Sequence, residues 1–503
     1  EIDASYWVAW GGTIDYNQSN RSISSVYLDF ILNLDEMDSL EDCQGQEESL
    51  YFDAVNQILY IHVTHTENPF AQTIETGLLF GYCSDKVRYF GNQEYKPILL
   101  SIPTISQSAD PLQYDIMAFS GGSVVLSNDG EFDTFEKLYG NTIRLKIGKD
   151  GDDYTDLITI FSGYIKDYTT TTKDITIDIG DNREKLQIEY PTQVFDALTG
   201  LAENSNGKLI PDGYGSVIQV PAYPIAINSG TVTFQWGSSV TSITQVYVEQ
   251  DDKLTSVAHG SFSTSGTFTL TDANAYKDGD NTKGLRKVYV TGVMRNLSNP
   301  ADIIVDLNAR LANILYNSTN YNMTEWETEK ALLADVSLYM DKSKSLYDWI
   351  SLLQSGSTWG FRYEDTGKRT IRLDDPDRTG VTFDDGTTLI TPVEIRNSDI
   401  PINQNAELYA TSCIVKYGYN HRTQSYSQVE NTDYKDAVLQ EHRIEKIITI
   451  ESLLTSKTDA EEKALRIMQD QSKVRPIITL ELEVSKYTTP RIYDIIQAEV
   501  SLL

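Results

Sequence analysis

The side chains able to do chemistry are present but scattered. The five histidines are His62, His65, His259, His421 and His442. Of these, His62 and His65 form an i,i+3 pair, an odd spacing that puts the two rings on opposite faces of a strand and disfavours shared metal ligation. Acidic clusters at Asp150, Asp152, Asp153 and Asp156, and at Asp278 and Asp280, carry oxygen ligands of the kind Ca²⁺ takes. Neither fits the twelve-residue calcium loop with its central Gly and terminal Glu, so both read as solvated turns. Asp374, Asp375 and Asp377 with Asp384 and Asp385 are equally ambiguous. Glycosidase chemistry needs two carboxylates at a set separation, and a chain with 73 acids offers too many pairs for any to stand out. No HExxH, GxSxG or phosphate-loop pattern occurs. The aromatic group Trp349, Trp359, Phe361 and Tyr363 has the rings of a sugar platform. Trp349, however, shares a helical face with Leu346, Ile350 and Leu353, which favours packing of a helix on a hairpin. The reading is that no catalytic, metal-binding or cofactor-binding residue is present, that the chain is not an enzyme, and that partner-binding residues are unknown.

Composition narrows the class further. The 503 residues carry 41 Lys plus Arg against 73 Asp plus Glu, a net charge of −32 that repels nucleic acid at long range. Sequence-specific DNA binding is thereby disfavoured, and the excess of acid is concentrated in the first hundred residues. No run of about 18 apolar residues is present, so stable membrane insertion through a helix is not expected. Cys43, Cys83 and Cys413 form no CxxC pair and no zinc spacing, and a disulfide between the first two is the less favoured reading. Tyr is abundant, at 31, in keeping with a strand-rich chain.

The elements that would position these residues are mainly strands. In the acidic N-terminal region, residues 57–63 have the β-branched and aromatic content of a strand, and 35–48 reads as a solvated loop. Residues 95–103, with Pro97 and Pro103, read as an extended linker. Strands then recur every ten to fifteen residues from 104 to about 210. The most specific stretch is Ser-Gly-Gly-Ser-Val-Val-Leu-Ser-Asn-Asp-Gly-Glu-Phe-Asp at 120–133, whose Asn128-Asp129-Gly130 suits a tight turn. It is followed by strands at 142–148, 159–165 and 175–181, where Ile175, Ile177 and Ile179 alternate as an inner band. Strands are also expected at 231–236, 243–248, 266–270 and 287–291. The period changes after Asn299-Pro300: helices are expected at 303–315, 324–334 and 343–355, with a hairpin at 359–373. A third β block opens at Cys413, an amphipathic helix runs from Lys457 to Gln471, and 477–484 alternates as a strand.

This order of strand, Asn-Asp-Gly turn, paired strands and closing Gly-Asp is similar to the barrel repeated in phage tail-tube and baseplate hub proteins. The whole order, barrel, helix and hairpin, then a second β block carrying a helix, resembles the two-barrel hub and tail-associated family of tailed phages. The resemblance implies a mainly β, multidomain fold with α+β parts: two tail-tube-like β-barrels, a β-rich insertion and a helix-hairpin domain. The expected divisions are 1–103, an acidic β-rich domain; 104–215, the first barrel; 216–297, a β-sandwich-like insertion; 298–393, an α+β helix-hairpin domain; and 394–503, a second barrel containing helix 457–471 and incomplete at its end. It further implies a virion structural protein at the tail tip, joining tube to baseplate and forming part of the DNA ejection channel. Its partners would be itself, as a homotrimer that matches two barrels per chain to a sixfold tube, the tail tube or distal tail protein, the tape measure protein and tip or fibre proteins. DNA would only pass through, and no cofactor is implied. A secreted glycan-binding adhesin built of β-sandwiches is the alternative, drawn from the Tyr-rich strands of 216–297.

Overall fold

The computed structural model describes residues 157–180, 182–280, 283–354 and 409–472 continuously. Shorter described stretches lie at 87–90, 93–103, 107–108, 118–119, 122–128, 139–147, 359–364, 367–373, 380, 388–390, 402–404, 476–478 and 497–498. Before residue 87 only the backbone of 7–10, 27–28, 35–36, 49–53, 58–62, 74–75 and 81–82 is described. There the strand expected at 57–63 appears as Ile58–His62, paired antiparallel with Trp7–Trp10 on one side and Ser49–Asp53 on the other.

The first sheet has five strands: β1 (Leu99–Ser101), β2 (Gly122–Ser127), β3 (Thr142–Ile147), β4 (Ile158–Thr170) and β5 (Asp174–Gly180). Their order is β1-β2-β5-β4-β3, antiparallel throughout. Alternate residues of a strand face opposite sides, so the register Val124↔Ile177 and Leu126↔Ile175 gathers apolar side chains on one face. Ile175, Ile177 and Ile179 are buried there with Val124, Leu126, Leu145, Phe161 and Ile165. On the other face Ser123 donates from Oγ to Asp178. Asn128 closes the end of β2 by bonding Lys173 and Thr171 of the β4–β5 turn, while Asp129 and Gly130 lie outside the described residues. Residues 95–103 are more than a linker, because Leu99 pairs with Leu126 and Ser101 with Val125. Pro97 and Pro103 lack N–H donors, and this confines the three-residue strand between them to the sheet edge.

The chain continues through β6 (Glu189–Tyr190) and β7 (Asp212–Tyr214), short strands whose partners come from far downstream. It then forms β8 (Ser216–Asn228), β9 (Thr231–Gln235), β10 (Ser242–Gln250), β11 (Lys253–Val257), β12 (Thr267–Thr271) and β13 (Lys287–Val293). Their order is β11-β10-β13-β8-β9-β12. Strand β8 bends the sheet: Gln219 sits at φ 51 and the register shifts between Val217 and Val220. Its first half pairs with β13 and its second with β9, so both wings contribute to one core around Val220, Phe234, Trp236, Val246, Phe268 and Val290. The fold is thus mainly β, with curled sheets and a smaller helical part.

Helix α1 (Pro300–Ala312) starts where its cap dictates: Asn299 accepts from Ala301 N, and Pro300 needs no donor in the first turn. It ends at Asn313, which is left-handed at φ 54, so Leu315 falls outside and is 46% exposed. Next come α2 (Met323–Lys330), β14 (Leu338–Met340), β15 (Lys344–Ser345), α3 (Leu346–Gln354), β16 (Trp359–Tyr363) and β17 (Arg369–Leu373). Strand β14 pairs with β7 and β15 with β6, and β16 and β17 form the expected hairpin. The third block comprises β18 (Ser412–Asn420), β19 (Ser425–Asn431), α4 (Lys435–His442), β20 (Ile447–Glu451) and α5 (Lys457–Gln471). Here β18 runs antiparallel to β19 but parallel to β20, unlike the all-antiparallel first sheet. One hydrophobic core unites α1, α3, the hairpin, β18 and α5, from Leu186 to Met468.

Candidate functional site

Among the described residues, those with chemical potential do not converge. His62 is described only in its backbone, and His65, Asp150, Asp152, Asp153, Asp156, Asp374, Asp375, Asp377, Asp384, Asp385, Cys43 and Cys83 lie outside the described residues. Among the described residues no three His, Cys, Asp or Glu side chains gather as a metal site would require. Asp278 is a turn residue at φ 54, ion-paired at the surface with Lys283 at 3.1 Å and bonded by Gln250. His259 is exposed. Trp349, Trp359 and Phe361 are buried in the core between helix and hairpin, and the Trp349 indole N–H donates to the Tyr190 carbonyl at 2.7 Å. None of those three rings is free to stack on a sugar.

What the fold does assemble is two polar junctions between its units. The first surrounds Asp212 on β7, a fully buried carboxylate. Arg295 donates to its Oδ2 at 3.3 Å from both Nε and a terminal nitrogen, and Arg310 of α1 donates at 3.4 Å. Tyr190 of β6 donates its hydroxyl to the same carboxylate and accepts from Arg310 at 3.2 Å. Tyr214 donates to Asp306 and accepts from Arg310 at 2.6 Å, and Arg310 also holds Asp306 at 2.8 Å. Burial pushes both phenols above their ordinary range, well above it for Tyr214, so they stay protonated as donors. A buried charge is tolerated only when paired and hydrogen-bonded, and this carboxylate draws its partners from β6, the loop after β13 and α1. The junction therefore ties the exit of the first sheet to the helical unit.

The second junction is the tip of the β18–β19 hairpin seated on the second sheet. Ile218 pairs in parallel with Asn420, whose side-chain amide donates to Gln219 at 3.1 Å, and His421 N–H donates to the Ile218 carbonyl at 3.1 Å. Arg422 pairs with Glu249 at 2.8 Å, donates to the Asp252 carbonyl at 3.0 Å and lies over the Tyr289 ring. Burial pushes Glu249 up, but hydrogen bonds from Arg422 and Lys287 outweigh it and hold the carboxyl below its ordinary value. The His421 ring packs edge-on between Tyr339 at 4.5 Å and Tyr419 at 4.8 Å, and burial pushes its pKa down to about 4.

Neither junction is visible as a local spacing, since the partners of Asp212 lie up to 98 residues away and those of Arg422 up to 173. The available signal is scarcity. With 41 cations among 73 acids, an Arg inside an otherwise apolar or turn-forming stretch, as at Arg295, Arg310 and Arg422, marks a place where a carboxylate has to be buried. Chemically, both junctions hold segments together and present no nucleophile beside a base.

No protein-family model and no curated protein matches the sequence. Among solved structures, the chain is similar to a tail protein from Neisseria meningitidis MC58, at 8% identity and TM-score 0.34 over 78% of each chain. It is also similar to a chain in the virion of a native gene transfer agent particle, at 7% identity and TM-score 0.37 over 58% of this chain and 80% of that one. A third likeness is to the 43 kDa tail protein of prophage MuSo2 from Shewanella oneidensis, at 10% identity and TM-score 0.31 over 76% and 77%.

Proposed function

We propose that the chain is a structural, non-enzymatic component of the tail of a phage or phage-derived particle, located in the virion at the tail tip. In this reading it is a hub that joins the tail tube to the baseplate or tip and forms part of the channel through which DNA leaves. The observation that carries the reading is the curled five-stranded sheet of 99–180. Its paired antiparallel strands, with Val124, Leu126, Ile175, Ile177 and Ile179 buried together on one face, support the tube-like barrel expected from the sequence. The two junctions support the same reading. A part that transmits ring geometry needs units fixed by strand pairing and buried ion pairs, and Asp212 and Arg422 supply such fixing here. The partners would be two further copies of the chain, the tube or distal tail protein, the tape measure protein and tip or fibre proteins. The test is to co-express the chain with the tube protein of its own particle and weigh the complex in its native state. Rings containing three copies bound to one end of the tube support the hub. Copies distributed along the tube, or a monomer that binds glycans and ignores the tube, overturn it.

A further inference from the structure

Residues 213–248 contain no Asp, Glu, Lys, Arg or His, in a chain of which 23% is charged. From 254 to 271 His259 is the single exception. These stretches form β8, β9 and β12 and most of β10 and β11. Burial explains every second residue of them and no more. In β9 Val232 and Phe234, and in β12 Phe268 and Leu270, are buried in the core of the second sheet. Their neighbours alternate to the opposite face, where charge is the ordinary outfit of a sheet in an acidic protein. The first sheet follows that rule: the residues of β5 that alternate with its isoleucines are Asp174, Thr176 and Asp178.

The outer face of β9 and β12 breaks it. Thr231, Thr233 and Gln235 pair across the ladder with Thr271, Thr269 and Thr267, so six neighbouring side chains carry no charge at all. Gln235 is committed, donating to the Gly237 and Ser265 carbonyls at 3.0 and 3.1 Å. The five threonine hydroxyls make no hydrogen bond within the described residues, and each keeps a donor and an acceptor for another molecule. The chain that follows, Asp272–Ala275, turns to the inner side, where Ala275 is buried in the core. Beside the threonines, at the end of β8, Ile227 is 38% exposed.

We infer that this threonine face is the surface on which a second copy of the chain docks. Depletion of charge is the compositional mark of the centre of a protein interface, and here it falls on outward positions that folding alone leaves free to be charged. The sign of the whole molecule selects the occupant. A partner of opposite charge would be drawn to the acids elsewhere on the surface, whereas a partner of the same sign is repelled there and approaches closely only where charge is absent. A second copy, also at −32, is such a partner. At the seam the threonine methyl groups pack and their hydroxyls find acceptors, with no charge to be desolvated. The inference rests on the self-association contained in the proposed hub and adds the place of the seam, in the second sheet.

The test is sedimentation equilibrium of the full chain at about 0.15 M salt, comparing wild type with Thr233→Asp, Thr233→Ser and Ser427→Asp. The last adds the same charge at an exposed strand position outside the face and so reports the effect of net charge alone. Thr233→Asp is expected to weaken self-association by about tenfold or more, because it buries an unpaired carboxylate at the seam. Thr233→Ser, which keeps the hydroxyl and adds no charge, and Ser427→Asp are expected to stay within about threefold of wild type. Unfolding midpoints should not move, since Thr233 faces away from the core. Hydroxyl-radical footprinting of the wild-type chain serves if a variant misfolds: oxidation of Ile227 should fall between dilute and associating concentrations. Equal association of Thr233→Asp and wild type, or equal oxidation of Ile227 at both concentrations of a chain that does associate, overturns the inference and leaves the hub standing. A wild-type chain that remains monomeric throughout overturns both.

Discussion

His421 and Arg422 sit side by side in the same junction and respond to opposite perturbations. The imidazole is enclosed by Tyr339 and Tyr419, and burial holds its pKa at about 4, below the ordinary 6.5. Its neutral form belongs to the folded state, so its contribution to stability is fully present above pH 6.5. That contribution is lost as pH falls from 6.5 towards 4, because the unfolded chain takes up the proton first. The loss amounts to at most about 3 kcal/mol across that window. Urea denaturation at closely spaced pH values should show this slope, and His421→Phe, which keeps an aromatic ring between the two tyrosines, should flatten it. Arg422 fails in the other direction. Removing it in Arg422→Ala leaves Glu249 with the exposed Lys287, at 3.3 Å, and the Tyr289 hydroxyl, at 3.5 Å, and strips a donor from the Asp252 carbonyl. A cost of about 1–3 kcal/mol is expected at neutral pH, and faster amide exchange at Ile218 and His421 would locate the damage at the junction. An unchanged unfolding midpoint would show that the pair is merely superficial.

Among the elements, the test of the first sheet is its isoleucine band. Ile177 is 4% exposed and faces Val124 across the ladder, so Ile177→Ala removes buried carbon from a small core. A loss of about 2–5 kcal/mol is expected by calorimetry or urea, against about 0.5–2 kcal/mol for Asn299→Ala, which removes the cap of α1 and the amide donor to the Lys330 carbonyl. This band was legible in the sequence because a period of two needs no tertiary information. Helix α5 was legible for the same reason: Ala460, Ala464, Ile467 and Met468 recur at helical spacing and are buried, and Ser456 caps Asp459. Helix α3 falls inside the expected 343–355, whereas α2 begins one residue before the expected 324–334 and ends four residues short of it, its start set by the Asn322 cap. What periodicity could not give is which strands meet. The pairing of β7 with β14 spans more than a hundred residues, and the edge role of Leu99–Ser101 depends on β2 arriving beside it. Nor did it reveal that the helix-hairpin segment and the α5 segment share one core, since each is amphipathic by itself. Asp212 stands in Pro-Asp-Gly-Tyr-Gly, a composition that suits a solvated turn, yet the fold makes it a buried carboxylate carrying two guanidiniums.

At the scale of the whole molecule the proposal must contend with charge. Each chain carries −32, and a ring of identical chains multiplies the repulsion that opposes its own closure. Apolar seams and strand edges have to offset that repulsion. The first sheet offers Leu100 and Ile102 exposed beside its β1 edge, and an edge strand is a template for pairing with another chain. Repulsion between surface charges is screened over about 30 Å at 0.01 M salt but only about 10 Å at 0.1 M, whereas apolar burial weakens little over that range. Assembly of an acidic homotrimer should therefore strengthen as salt rises, the reverse of what a complex held by opposite charges would do. Mass photometry of the purified chain in a series from about 10 mM to about 500 mM salt is the direct check, with trimer expected to gain at the expense of monomer as the Debye length shrinks. An acidic channel wall would follow from the same excess, since it offers few cations to hold passing phosphates, and short duplex DNA should remain unbound at every salt concentration in the series. Trimer that dissociates as salt rises, or DNA retained at low salt, would mean that the ring is held by patches of opposite charge and that the channel is not acidic.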